Sequence, residues 1–61
     1  MTVTYAQAIE FFKACKEAGK EITVITDTDE YAIYKVEAPK EIAEIHFYRT
    51  ENRALIFRSA K

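Results

Sequence analysis

Tryptophan is absent from this 61-residue chain, and cysteine, glycine, proline, histidine and methionine occur once each. Each scarcity excludes something. A lone Cys15 rules out a disulfide framework within the chain. One cysteine and one histidine, His46, are too few to close a structural zinc site. The free thiol fits a reducing compartment. Gly19, the single glycine, leaves no material for a glycine-rich phosphate loop. No apolar run approaches the ~18 residues of a membrane span. The opening MTVTYAQAIE has neither the basic start nor the apolar stretch of a secretory leader. These absences lead to the expectation of a cytoplasmic protein with no cofactor, no metal and no membrane.

An excess of one charge is missing too: nine basic against ten acidic side chains give a net charge of −1. Residues 1–39 hold four lysines and seven carboxylates, and residues 40–61 hold five basic groups and three carboxylates. Neither half is a polybasic tail. A protein gripping phosphates along a nucleic acid is normally far more basic.

What the chain has is apolar and β-forming material: 49% hydrophobic and 13% aromatic residues. Such a composition folds, although a chain this short buries only about 60% of its unfolded surface and sits near the limit of independent stability.

A helix opens the sequence. Thr4 is a good N-cap, Gln7 three residues on completes a capping box, and Val3 and Ala8 occupy the hydrophobic-staple positions. Tyr5, Ala8, Phe12 and Cys15 recur at three/four spacing, flanked by Ile9 and Phe11. Lys13 and Lys16 suit the negative end of the dipole, and Gly19 suits the left-handed cap. The pattern predicts a helix over about 4–18. Period two then takes over in EITVIT (21–26), YAIYKV (31–36), EIAEIHFYR (41–49) and RALIFR (53–58), runs rich in β-branched and aromatic residues. Turns are expected at Asp27–Glu30, at Ala38-Pro39-Lys40, and at Thr50-Glu51-Asn52, where Asn52 tolerates the left-handed region. Short links favour antiparallel neighbours. The expected architecture is α+β: one domain over 1–61, with an N-terminal helix on one face of a four-stranded antiparallel meander.

Register follows from loop length. A two-residue loop at Thr28-Asp29, a loop over 38–40 and a three-residue loop over 50–52 pair Val24 with Ile33, Ile33 with Ile45 and Ile45 with Phe57. They place Ile22, Val24, Tyr31, Ile33, Ala43, Ile45, Phe47, Leu55 and Phe57 beneath the helix. The opposite face then carries Ile25, Tyr34, Val36, His46, Tyr48, Ile56 and Arg58, together with Ala32, Ala54, Ile42, Glu44 and Thr23. One helix covers one face, so an apolar and tyrosine-rich surface remains, with Tyr and Arg as interface-prone types.

Candidate chemistry is thin. Glu44, His46 and Tyr48 share one strand face, with Arg58 opposite Glu44, and a carboxylate beside an imidazole can move protons. A flat sheet offers no concave site to exclude water. Asp27, Asp29 and Glu30 resemble a fragment of a calcium loop without its central glycine and distal glutamate. Cys15, on the apolar stripe, reads as a small core residue rather than a nucleophile. Tyr34, Tyr48, His46, Lys35, Arg49 and Arg58 raise single-stranded nucleic-acid binding as an alternative, but Lys35 and Arg49 fall on the helix side of the expected register. The expected function is therefore a non-enzymatic interaction module without a small-molecule substrate. It would act as a homodimer, or as an inhibitor or adaptor docking on a larger protein through its open face or an edge strand. Small compact chains of this kind are common in phages and mobile elements.

Overall fold

The computed structural model describes residues 1–61. Its elements run β1 (Thr2–Thr4), α1 (Tyr5–Glu17), β2 (Glu21–Asp27), β3 (Tyr31–Ala38), β4 (Glu41–Tyr48) and β5 (Arg53–Ala60). The class is α+β, with two corrections to the expected architecture: the sheet has five strands, and a strand precedes the helix. The order is β1-β5-β4-β3-β2, with every neighbouring pair antiparallel. The last four strands do form the meander. Three residues are too few to show a period, so β1 left no alternation to read. Its place comes from backbone pairing, Thr2 with Leu55, Val3 with Ala54 and Thr4 with Arg53. The main chain of Met1 continues the ladder against Ile56.

The helix carries the chain from the β1 edge to the β2 edge. The capping box is formed: the Gln7 amide donates to Thr4 Oγ1 at 3.1 Å, and the Thr4 amide donates to Gln7 Oε1 at 2.9 Å. At the far end Gly19 takes φ +76°, its amide reaches the Lys16 carbonyl, and the Lys20 amide reaches the Cys15 carbonyl. This is a Schellman closure, which satisfies carbonyls the helix leaves open.

Nine residues are buried, all of them apolar: Ala8 and Cys15 from the helix, and Ala32, Val36, Ala43, Ile45, Phe47, Ala54 and Ile56 from the sheet. Four rings lock the interface. Phe47 lies 5.4 Å from Tyr5, 5.7 Å from Tyr34 and 6.3 Å from Phe12, and Phe12 lies 5.0 Å from Tyr34. Tilted and edge-on rings at such spacings are favourable beyond their burial.

The expected register is overturned on β3 and β5, because the loops differ by one residue from those expected. Ala38 pairs with Glu41, so the β3–β4 link is the two residues Pro39-Lys40, and Ile45 meets Tyr34 rather than Ile33. Tyr48 pairs with Arg53, so the β4–β5 link has four residues, and Ile45 meets Ile56 rather than Phe57. A one-residue change in a loop turns the next strand over. Asn52 does take the left-handed conformation, φ 51°. Between β2 and β3 the turn closes from Thr28 to Tyr31, around Asp29-Glu30. A β-bulge at Ile25 then shifts the register between Val24 and Thr26, which keeps Ile22 and Val24 on the helix side opposite Val36 and Tyr34. Tyr31, Ile33, Leu55 and Phe57 thus lie on the open face, while Ala32, Tyr34, Val36, Ala54, Ile56 and Arg58 lie on the covered one.

Candidate functional site

Cross-strand pairing fixes the open face as four rows. Nearest the β2–β3 and β4–β5 loops stand Tyr31, Tyr48 and Arg53. Then come Ile33, His46 and Leu55, then Lys35, Glu44 and Phe57, and at the far end Glu37, Ile42 and Ser59. Six of these side chains are apolar or phenolic. Phe57 is 50% exposed and Tyr31 41%, and the other four are half-buried against their neighbours.

The charged side chains and the histidine among them are already paired. His46 Nε2 lies 3.0 Å from Glu44 Oε1, and the imidazole meets Phe57 edge-on at 5.0 Å. The Arg53 guanidinium covers the Tyr48 ring at 4.7 Å and donates from Nε to Glu51 at 2.8 Å. Lys61 and Lys35 hold Glu37 at 2.9 and 3.3 Å, and these contacts, Lys61 first, keep its carboxyl below the ordinary value.

Of the seven residues expected on a docking surface, His46 and Tyr48 are on the open face. Ile25, 52% exposed, is the bulge residue on the β2 edge. The other four are corrected. Val36 and Ile56 are core residues. Tyr34 packs against Phe12 and Phe47, its hydroxyl 3.4 Å from Asp27. Arg58 forms a two-point ion pair with Glu41 and lies over Phe11 of the helix, on the other side of the sheet from Glu44. Arg58 therefore does not join the Glu44–His46–Tyr48 trio. The residues that were missed are Tyr31, Ile33, Leu55 and Phe57. Their signal was the small residue beside Tyr31, Ile33 and Leu55: Ala32 and Ala54 are completely buried, and an alanine in a strand marks where a helix comes close.

Two hollows indent the surface. One, about 180 Å³, lies among Ile42, Glu44, Phe57, Arg58 and Ser59. The other, about 410 Å³, lies among Ala18–Glu21, Glu37–Pro39 and Lys61 at the end of the helix. Neither is lined by His46, so the imidazole stands outside both hollows. No family model matches this chain, and comparison with curated proteins and with solved structures likewise returns no match.

The loop charges do structural work. Arg49 Nη1 donates to Asp27 Oδ1 at 2.8 Å and to the Thr28 carbonyl, and its Nε donates to the Tyr5 hydroxyl at 3.4 Å. The guanidinium pKa is raised, by Tyr5 first and then Asp27. Arg49 therefore clamps the β4–β5 loop to the β2–β3 turn and the start of the helix, and the Asp27 carboxylate is occupied by it. Lys35, expected on the helix side, is on the open face but bonded to Glu37. No helix is long and apolar enough to cross a membrane.

Proposed function

We propose that this protein is a non-enzymatic protein–protein interaction module that docks through the open face of its sheet. One observation carries the reading: Tyr31, Ile33, Ile42, Tyr48, Leu55 and Phe57 share a face that no element of the chain covers. Large apolar and phenolic side chains set around the His46–Glu44 pair, with Arg53, Lys35, Glu37 and Thr23 among them, give the face the aromatic content of a docking surface.

The face is a better route than an edge. β2 is broken by its bulge and flanked by Glu21 and Asp27. β1 covers β5 only as far as Ile56, and the free remainder of β5 carries Arg58. Bulges, short strands and charges are the devices that discourage strand addition. Single-stranded nucleic acid is supported less well. Tyr31 and Tyr48 could stack bases, but Lys35 and Arg53 are engaged by carboxylates, and Glu44 and Glu37 stand on the same face.

The test compares immobilised wild type with Phe57→Glu, whose side chain is half-exposed and outside the core. One stoichiometric protein captured from lysate by the wild type and lost by the variant supports docking through this face. Equal recovery by both, or no capture and no self-association, removes it. Labelled oligonucleotide bound at low salt and released as salt rises would favour the alternative.

A further inference from the structure

We infer that the occupant of the open face is a second copy of this chain, related by a two-fold axis that crosses the strands between His46 and Glu44. The inference rests on the reading of that face as a docking surface and says what docks there.

Shape favours this arrangement. The phenolic rings, Tyr31 and Tyr48, stand at one end of the face, and the hollow of about 180 Å³ beside Ile42 and Phe57 lies towards the other. An axis across the strands inverts their direction. It lays Tyr48 of one copy over Ile42 of the other, at the rim of that hollow, and Leu55 over Phe57. Each contact occurs twice, as a self-complementary interface requires.

Charge favours it as well. On the loop side of the axis, leaving out the Asp27–Arg49 pair directed to the helix, Asp29, Glu30 and Glu51 stand against Arg53, two carboxylates in excess. The other side, leaving out the Arg58–Glu41 pair of the covered face, has one cation in excess: Lys20, Lys35, Lys40 and Lys61 against Glu21, Glu37 and Glu44. The inverting axis sets the acidic end over the basic end and His46 over Glu44 of the second copy. An axis along the strands sets Glu44 on Glu44 and like ends together, which is penalised.

Area sets the strength. The molecule measures 32 × 20 × 19 Å, so the face projects at most ~640 Å², somewhat below the ~800 Å² per partner of a standard interface. The accessible surface of 4138 Å² is also close to the ~4,100 Å² of a lone folded chain of this mass. A monomer that folds by itself and pairs weakly and reversibly satisfies both numbers.

Light scattering over a concentration series at low salt should show the mass rising from 7.1 kDa towards twice that, with half-association at micromolar concentrations. Phe57→Glu should weaken the association at least tenfold while the variant stays folded, its melting temperature falling by no more than several degrees. Geometry is read with a short bis-maleimide linker, suited to sheets packed ~10 Å apart. A mixture of Tyr48→Cys and Ile42→Cys proteins should cross-link as the mixed dimer, in preference to either variant alone, and buried Cys15 should keep the wild type silent. A wild type that stays monomeric at ~1 mM, some hundredfold or more above a micromolar constant, overturns the inference. So does a dimer indifferent to Phe57→Glu, or efficient linking of Tyr48→Cys to itself, which marks an axis along the strands. A monomeric wild type that still captures a partner lost on Phe57→Glu sinks only the second copy; with no capture either, the docking reading falls with it.

Discussion

The two faces of this sheet differ in the size of their apolar residues as well as in polarity. The covered face sets Ala32, Ala43 and Ala54 beside Phe47, Tyr34, Ile45 and Ile56. The open face has no alanine on the same strands, and its apolar side chains are all large: Ile33, Ile42, Leu55, Phe57 and both Tyr31 and Tyr48. It is the alanines, completely or almost completely buried, that let a helix carrying Ala8 and Cys15 settle close to the strands while rings fill the space between. The open face nonetheless keeps six large apolar or phenolic side chains with no element over them, and these are what a partner would shield.

The sharpest way to break the comparison is to truncate one aromatic on each face. Phe47, 2% exposed, centres the four-ring cluster, so Phe47→Ala should cost about 3–5 kcal/mol. A chain of 61 residues is stable by only ~3–9 kcal/mol, so the variant should lose about a third or more of its stability and unfold outright at the low end of that range. Phe57→Ala should cost about 1 kcal/mol, because half of that ring is already in water. Urea titration followed by circular dichroism checks both, and comparable losses would mean that the faces are wrongly assigned.

Enlarging small residues is the next test. Ala54→Leu forces extra carbons into a site with no free surface and should cost about 1–3 kcal/mol. Leu55→Ala, one position along on the open face, should cost about 1 kcal/mol. If Ala54→Leu were neutral, the helix would not lie as close as Ala8 and Ala54 require.

These pairs also separate what could be read in the sequence from what could not. The helix was legible to within a residue, because Thr4, Gln7 and Gly19 act through bonds made nearby. The four long strands were legible from period two, and β4 was placed with the correct side up. The faces of β3 and β5 were not. Their parity depends on whether Ala38 and Arg49 belong to a strand or a loop, and neither residue type decides that. The bulge at Ile25 was equally hidden, since an isoleucine in a strand run carries no mark of one. The candidate site inherited these errors: Val36 and Ile56 went outward on paper and inward in the fold, while His46 and Tyr48 held because β4 did.

The helix cap supports only the covered face, so its removal should weaken the core and leave the open face unaltered. Thr4→Ala should cost about 1 kcal/mol, visible as a shift of several degrees in the melting temperature for a domain this small. Self-association of the folded variant should match the wild type. Weaker pairing would show that the open face depends on helix docking.

The smallest effect belongs to the rim of the open face. Glu37 is held by Lys61 and Lys35, which depress its carboxyl below the ordinary 4.5. A depressed carboxyl stabilises the fold above the unfolded value, and the contribution disappears as pH falls through the lower folded value. Wild type should therefore melt slightly higher than Glu37→Gln at pH 7, the gap closing on titration from about 4.5 downward. Because the group faces solvent, the gap should also shrink as salt is added. A gap that persists in strong acid would mean that the substituted amide disturbs the ladder itself. A gap that closes with acid and salt confines Glu37 to the rim, where charge adjusts the fold without holding it.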